Sequence, residues 1–164
     1  LPAPSAKLKS LPSNKAYTMD FNELCLGCRT YRRFERKEIP EEILTELLEN
    51  ARVANSVMNG QVLRYVLVKS QETVKKLQPY FHFAAALPKE LGQPKEGEQP
   101  AAFIILCTEG PETPWTGIDI GIAVRTMNLN AYIHGVGSCI IGNVEFESGS
   151  SLMKHPDALY EVCA

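Results

Sequence analysis

Three anion-binding donors stand almost in a row at Arg29-Thr30-Tyr31-Arg32. A phosphate is held by charge-assisted donors, and the forked N–H groups of arginine match its oxygens. An extended segment just ahead of a helix can bring both guanidinium groups onto one anion. The competing account is a solvated basic face, because Arg33, Arg36 and Lys37 continue the run around Phe34. A second polar group is Asn55-Ser56…Asn59-Gly60-Gln61. Its side-chain amides suit the polar edge of a planar heteroaromatic ring or a polyol. An ordinary helix-to-strand turn uses the same residue types for backbone reasons, with Gly60 free to take positive φ.

Other candidates carry less. Gly135-Val136-Gly137 follows a helix pattern and precedes a strand pattern, the reverse of a dinucleotide fingerprint. It stops the helix, and Ile141-Gly142 at the end of the next strand lets a flat ligand approach the backbone. Cys25-Leu26-Gly27-Cys28 has redox or zinc spacing, yet no second ligand pair exists and a helix precedes it, not a strand. The three histidines are isolated, and His134 is expected at a helix C-cap. Tyr80-Phe81-His82-Phe83 and Trp115 can line a pocket but are more ordinary as core. No paired carboxylates or Ser/His/Asp set point to a protein nucleophile or general base.

The elements that must position these residues are legible from periodicity. Asp20 and Glu23 have capping-box spacing ahead of a short helix over Phe21–Leu26. Pro40, expected at N1, with Glu41 and Glu42 behind it, opens a helix that ends near Ala54. Its apolar stripe is Ile43, Leu44, Leu47, Leu48 and Ala51. Val62–Val68 is a strand, Gln71–Leu77 a short helix and Pro88–Pro100 an exposed loop. Ala101–Cys107 is continuously apolar, the pattern of a strand covered on both faces. Ile118–His134 is a helix apolar almost all round, so burial by its own domain and by a second subunit is expected. Ser138–Ile141 is a short strand, Leu152–Lys154 a last helical turn and Tyr160–Ala164 the opening of a final strand. The order α–α–β–α–β–α–β–β gives an α+β sandwich.

Composition bounds the partners. The chain of 164 residues is 45% hydrophobic and 22% charged, with net charge −2. That fits one globular domain and gives no reason to expect nucleic acid or a membrane surface. No run reaches the ~18 apolar residues of a membrane span. Five cysteines, an odd number partly inside apolar runs, are read as reduced thiols of a cytoplasmic protein. Residues 1–18 are expected to be an extension, a tether or an expression remnant, ahead of a single domain over 19–164. That domain is expected to lack its C-terminal end.

The order of these motifs resembles the nitroreductase family over roughly residues 20–145. Cys28-Arg29-Thr30-Tyr31-Arg32-Arg33-Phe34 is similar to the family's R-R-S-x-R-x-F opening. Ile39–Leu44 resembles its I-P-x-E-x-L segment. Ala54–Tyr65 resembles the A-P-S-x-x-N-x-Q-P-W-R-F run, and Asp119–Gly142 the D-x-G-x-A-x-x-N-L-x-L-A-A-x-x-x-G-L-G-S-C-x-I-G core. The resemblance implies a three-layer α/β/α sandwich with a mostly antiparallel central sheet, and an intertwined homodimer with FMN at the subunit interface. Arg29, Thr30 and Arg32 would hold the phosphate and ribityl chain. Asn55, Ser56 and Asn59 would come from the partner subunit, and Ile141 and Gly142 would lie by the ring system. NADH or NADPH would serve as transient hydride donor, and a nitroaromatic, quinone or similar small molecule as acceptor. A dehalogenase and a flavin-binding protein without turnover are alternatives within the same fold; a dithiol redox protein using Cys25 and Cys28 is one outside it. The chain departs from the family pattern at Cys28, Thr30, Asn55 and Val62-Leu63.

Overall fold

The computed structural model describes residues 19–84, 86–142 and 160–163. Helix α1 spans Phe21–Gly27, and the Asp20 carboxylate accepts from the Asn22 N–H at 3.0 Å as its N-cap. Helix α2 runs Glu41–Arg52, two residues shorter than its apolar pattern predicts. Pro40 is its N-cap and not N1: at φ −53° and ψ 138° the backbone is still extended. Strand β1 (Leu63–Val68), helix α3 (Gln71–Leu77), the single-turn helix α4 (Lys89–Gly92) and strand β2 (Phe103–Thr108) follow. Helix α4 lies inside the stretch expected to be plain loop. The long helix α5 (Thr116–Ile133), strand β3 (Cys139–Ile141) and strand β4 (Tyr160–Cys163) complete the chain order.

The four strands form one antiparallel sheet in the order β1-β2-β4-β3. The last strand in sequence is therefore central: β4 pairs Ile105 with Glu161 on one side and Ile141 with Glu161 on the other. Residues before α2 extend the sheet past β3 through a parallel bridge between Thr30 and Ser138. The expected helical turn over Leu152–Lys154 and the extension over 1–18 lie outside the described residues.

Strand alternation sorts the core into two layers. Ile104 and Leu106 of β2 meet Leu44, Leu47 and Ala51 of α2 and Ile120, Val124, Met127 and Ala131 of α5. Phe103 and Ile105 meet Val74 and Leu77 of α3, Phe81, Phe83, Cys139 and Ile141 on the other face. That is the three-layer arrangement, with β2 covered on both sides as its unbroken apolar run requires. Phe81 and Phe83 are core residues: the Phe81 and Phe103 ring centroids are 4.6 Å apart, and Phe34 meets Phe83 edge-on at 6.4 Å.

A Schellman turn ends α5. Gly135 has φ 72°, its N–H donates to the Tyr132 carbonyl, and Val136 N–H donates to Ala131. His134 occupies the C-cap, and its Nε2 lies 3.1 Å from a Glu46 oxygen on α2. Hydrogen bonds from Asn130 and His134 hold the Glu46 carboxyl below its ordinary pKa. Among the described residues no helix is long and apolar enough to cross a membrane.

Candidate functional site

The basic run separates by what its members touch. Arg33 forms an ion pair with Glu98 at 3.0 Å and donates to the carbonyls of Leu91 and Gly92. Arg36 donates to Gln71, and Lys37 pairs with Glu35. Arg29 and Arg32 are exposed, and among the described residues neither guanidinium meets a carboxylate or a carbonyl. Two exposed cations three residues apart, unpaired among the described residues, are placed to receive an anion.

The backbone that carries them is anchored from below. Tyr31 N–H donates to the Ser138 carbonyl at 3.0 Å, beside the Thr30–Ser138 bridge. Ser138 Oγ donates to Asn128 Oδ1 at 3.2 Å, and the Cys28 thiol donates to the Asn128 carbonyl at 3.4 Å. Asn128, buried in α5, thus ties the basic segment to the start of β3. Gly137 must lack a side chain, since a Cβ there would come within 2.9 Å of the Tyr31 ring. This packing brings Arg29, Thr30 and Arg32 alongside β3, whose end is Ile141-Gly142. Ile141 is buried, while Gly142 is exposed, with no atom of the described residues within 4 Å of where a Cβ would stand.

The cysteines nearby are quiet. Burial pushes the Cys139 thiol up to about 11, only slightly offset by the Arg32 charge. Burial also raises the Cys28 thiol, outweighing the opposing charge and hydrogen bond of Arg125. A reactive thiol needs a stabilised thiolate, and the burial of Cys28 works against one there. Among the described residues no three His, Cys, Asp or Glu side chains gather to hold a metal.

The Asn55–Asn59 group lies elsewhere in the same chain. Asn55 and Asn59 are exposed and Ser56 is half-buried. Ser56 Oγ accepts from Gln61 N–H at 3.1 Å, and Val57 N–H donates to Asp119 Oδ1 at 2.7 Å. Positive φ falls on Met58 (54°), Asn59 (54°) and Gln61 (47°), whereas Gly60 is an ordinary right-handed residue at −66°. Asn tolerates the left-handed region; Met and Gln do not do so readily. Such a loop persists only when its surroundings over-determine it. Asp119, 4% exposed in the first turn of α5, is the anchor; the last motif of the family resemblance opens on this residue, but it is not among the site residues expected from the sequence. Its signal is that it is the lone carboxylate in a largely apolar helix. Replacing Asp119 with Ala is expected to cost about 1.5–3 kcal/mol, the range for a hydrogen bond to a charged group. Asp119→Asn, which keeps an acceptor oxygen, is expected to lose much less. Urea unfolding of both variants checks this, and equal midpoints would exclude the anchor role.

Asp119 and Asn128 are nine positions apart, so the two polar groups sit roughly 14 Å apart along α5. The chain therefore places Arg29, Thr30 and Arg32 on the segment bridged to Ser138 at the start of β3, the strand that ends at Ile141, while Asn55, Ser56 and Asn59 sit at the other end of α5. A cleft of about 270 Å³ opens beside the second group, lined by Ala54, Asn55, Ser56, Tyr65 and Asp119 among others. The model described as the nitroreductase family matches residues 27–163. The chain belongs to the nitroreductase family. A nitroreductase family protein from Clostridium novyi NT superposes with a TM-score of 0.69 at 19% identity, covering 88% of this chain and 83% of that one. A nitroreductase with bound FMN from Bacteroides fragilis NCTC 9343 superposes at 0.62 and 20% identity, covering 89% and 87%. These likenesses establish the fold. In sequence, a Methanothermobacter thermautotrophicus protein provisionally named NADH dehydrogenase/NAD(P)H nitroreductase is 26% identical over 131 residues, 78% of this chain. The nitroreductase-family chain spans 63% of the length of that relative.

Proposed function

We propose that the chain is an FMN-dependent oxidoreductase. In this reading it takes hydride from NADH or NADPH and reduces a small aromatic acceptor such as a quinone or nitro compound. The observation that carries it is the pair of exposed arginines, Arg29 and Arg32, unpaired among the described residues, on the segment bridged to β3 in a nitroreductase fold. FMN bound to the Bacteroides fragilis relative, and the nicotinamide use in the name of the archaeal one, support the same reading. FMN, when bound, supplies the two-electron chemistry.

The chain's own residues bind and orient. Arg29 and Arg32 neutralise the phosphate, and the Thr30 hydroxyl adds a donor. Gly142 lets the ring system lie close to the backbone. The neutral Cys139 thiol adds no negative charge near the site. Asn55, Ser56 and Asn59 serve the site of a partner subunit. The 14 Å offset along α5 supports this, because a two-fold crossing of antiparallel α5 helices sets one chain's loop against the other's basic segment. The exposed apolar Met58, Trp115 and Ile118, all at the loop end of α5, give such a crossing surface to bury.

Purified protein is expected to carry flavin absorbance that NADH or NADPH bleaches without oxygen, and to elute as a dimer. Flavin that stays oxidised under excess nicotinamide would favour a binding protein without turnover. A chain that takes up no FMN would refute the assignment.

A further inference from the structure

Arg33 is the cation of the basic run with the most protein contacts among the described residues. One nitrogen donates to both the Arg32 carbonyl at 2.9 Å and the Gly92 carbonyl at 3.2 Å. The other terminal nitrogen donates to the Leu91 carbonyl at 2.9 Å, and Nε pairs with Glu98 at 3.0 Å. Phe34 N–H adds a bond to the Glu98 carbonyl at 3.1 Å. The segment so held, Leu91–Glu98, is also seated on the second core layer. Gln93 donates to the Phe81 carbonyl at 3.1 Å, and Gly92 lies so near the Phe83 carbonyl that a Cβ would come within 2.5 Å of it.

We propose that Arg33 is a positioning residue that fastens Leu91–Glu98 to the Arg29–Arg32 segment, so that FMN binding and the ordering of Leu91–Glu98 are coupled. The coupling rests on the flavin reading above; the fastening does not. Arg33 touches no reacting group. It acts through the Arg32 carbonyl, restraining the backbone whose side chain grips the anion. The rigid planar fork is what permits this, since it serves three carbonyls and a carboxylate at once. Lysine has the charge but not the geometry. Pairing with Glu98 also neutralises Arg33, leaving Arg29 and Arg32 as the cations available to the ligand.

The test is hydrogen exchange by mass spectrometry on peptides covering residues 88–98, with and without FMN, alongside FMN titration. In the parent chain, FMN is expected to slow exchange in these peptides. Arg33→Ala is expected to raise their exchange in the flavin-free protein, to abolish the FMN-induced protection, and to weaken FMN roughly 2- to 30-fold, the span of indirect couplings. The absorbance spectrum at saturating FMN should be unchanged. Arg33→Lys should not restore protection, whereas Glu98→Gln, which leaves the carbonyl contacts in place, should retain most of it. Unaltered exchange in Arg33→Ala would overturn the fastening, and so would rescue by lysine. FMN that binds the parent chain without protecting these peptides would overturn the coupling. Failure of the parent chain to bind FMN would sink the flavin reading and the coupling with it, while the flavin-free comparison still decides whether Arg33 fastens the segment.

Discussion

Replacing Arg29 and Arg32 together with alanine is expected to strip the protein of FMN while leaving it folded. A hydrogen bond to a charged group contributes ~1.5–3 kcal/mol. Losing two amounts to about 3–6 kcal/mol, or roughly two to four orders of magnitude in dissociation constant. Neither guanidinium has a protein partner among the described residues, so their removal leaves no buried group unsatisfied. The control is Arg36→Ala with Lys37→Ala. It removes the same formal charge from the same run, but these side chains are engaged with Gln71 and Glu35. If the long-range field of the basic run were what attracts the phosphate, both double variants would lose flavin alike. If contact geometry decides, only the first should. Flavin content after gel filtration, with fluorescence titration of FMN, reads the difference. A fully flavin-loaded Arg29→Ala/Arg32→Ala protein would remove the foundation of the proposed function.

What the sequence made legible, and what it did not, follows from the range of the interactions. The stripe of Leu44, Leu47 and Ala51 and the apolar run through Phe103–Leu106 announce themselves because burial repeats at short period. Helix α3 spans Gln71–Leu77, the range its pattern predicts, with Val74 and Leu77 buried three positions apart. The central place of β4 was not legible. Its pairing joins Ile105 to Glu161 and Ile141 to Glu161, and no local pattern encodes which edge a late strand joins. The candidate site divides in the same way. Residue types alone flagged Arg29, Thr30, Arg32 and the Asn55–Asn59 loop. Charge counting could not separate Arg29 and Arg32 from Arg33, because the distinction lies in distant partners at Leu91, Gly92 and Glu98. Assigning positive φ to Gly60 failed because residue preference is a weak guide where tertiary contacts fix the loop. Asp119 and the internal Ser56–Gln61 bond hold Met58, Asn59 and Gln61 left-handed instead.

Truncation of Phe103 to alanine should produce the largest loss of fold stability among the changes considered, about 3–5 kcal/mol. The side chain is 0% exposed, its ring lies 4.6 Å from that of Phe81, and it packs in one cluster with Ile105, Cys139 and Ile141. Its backbone sits in a strand paired on both sides, with Val68 in β1 and Cys163 in β4. The sheet cannot collapse into the void without breaking these two ladders, which places the cost toward the upper part of the range. Against a typical net stability of ~5–15 kcal/mol, such a loss leaves little reserve. Phe103→Leu, which retains much of the volume, should lose less, and Val66→Ala, on an exposed part of the neighbouring strand, should stay within about 1 kcal/mol. The void lies in the same core cluster as Ile141, the chain neighbour of Gly142. Flavin retention should therefore fall in Phe103→Ala even at temperatures where the chain is folded. Urea midpoints at constant slope measure the first effect, and FMN titration of the folded fraction the second. A midpoint equal to that of Val66→Ala would contradict the burial argument. Normal FMN affinity in a destabilised Phe103→Ala would show that the second core layer supports the sheet without positioning the site.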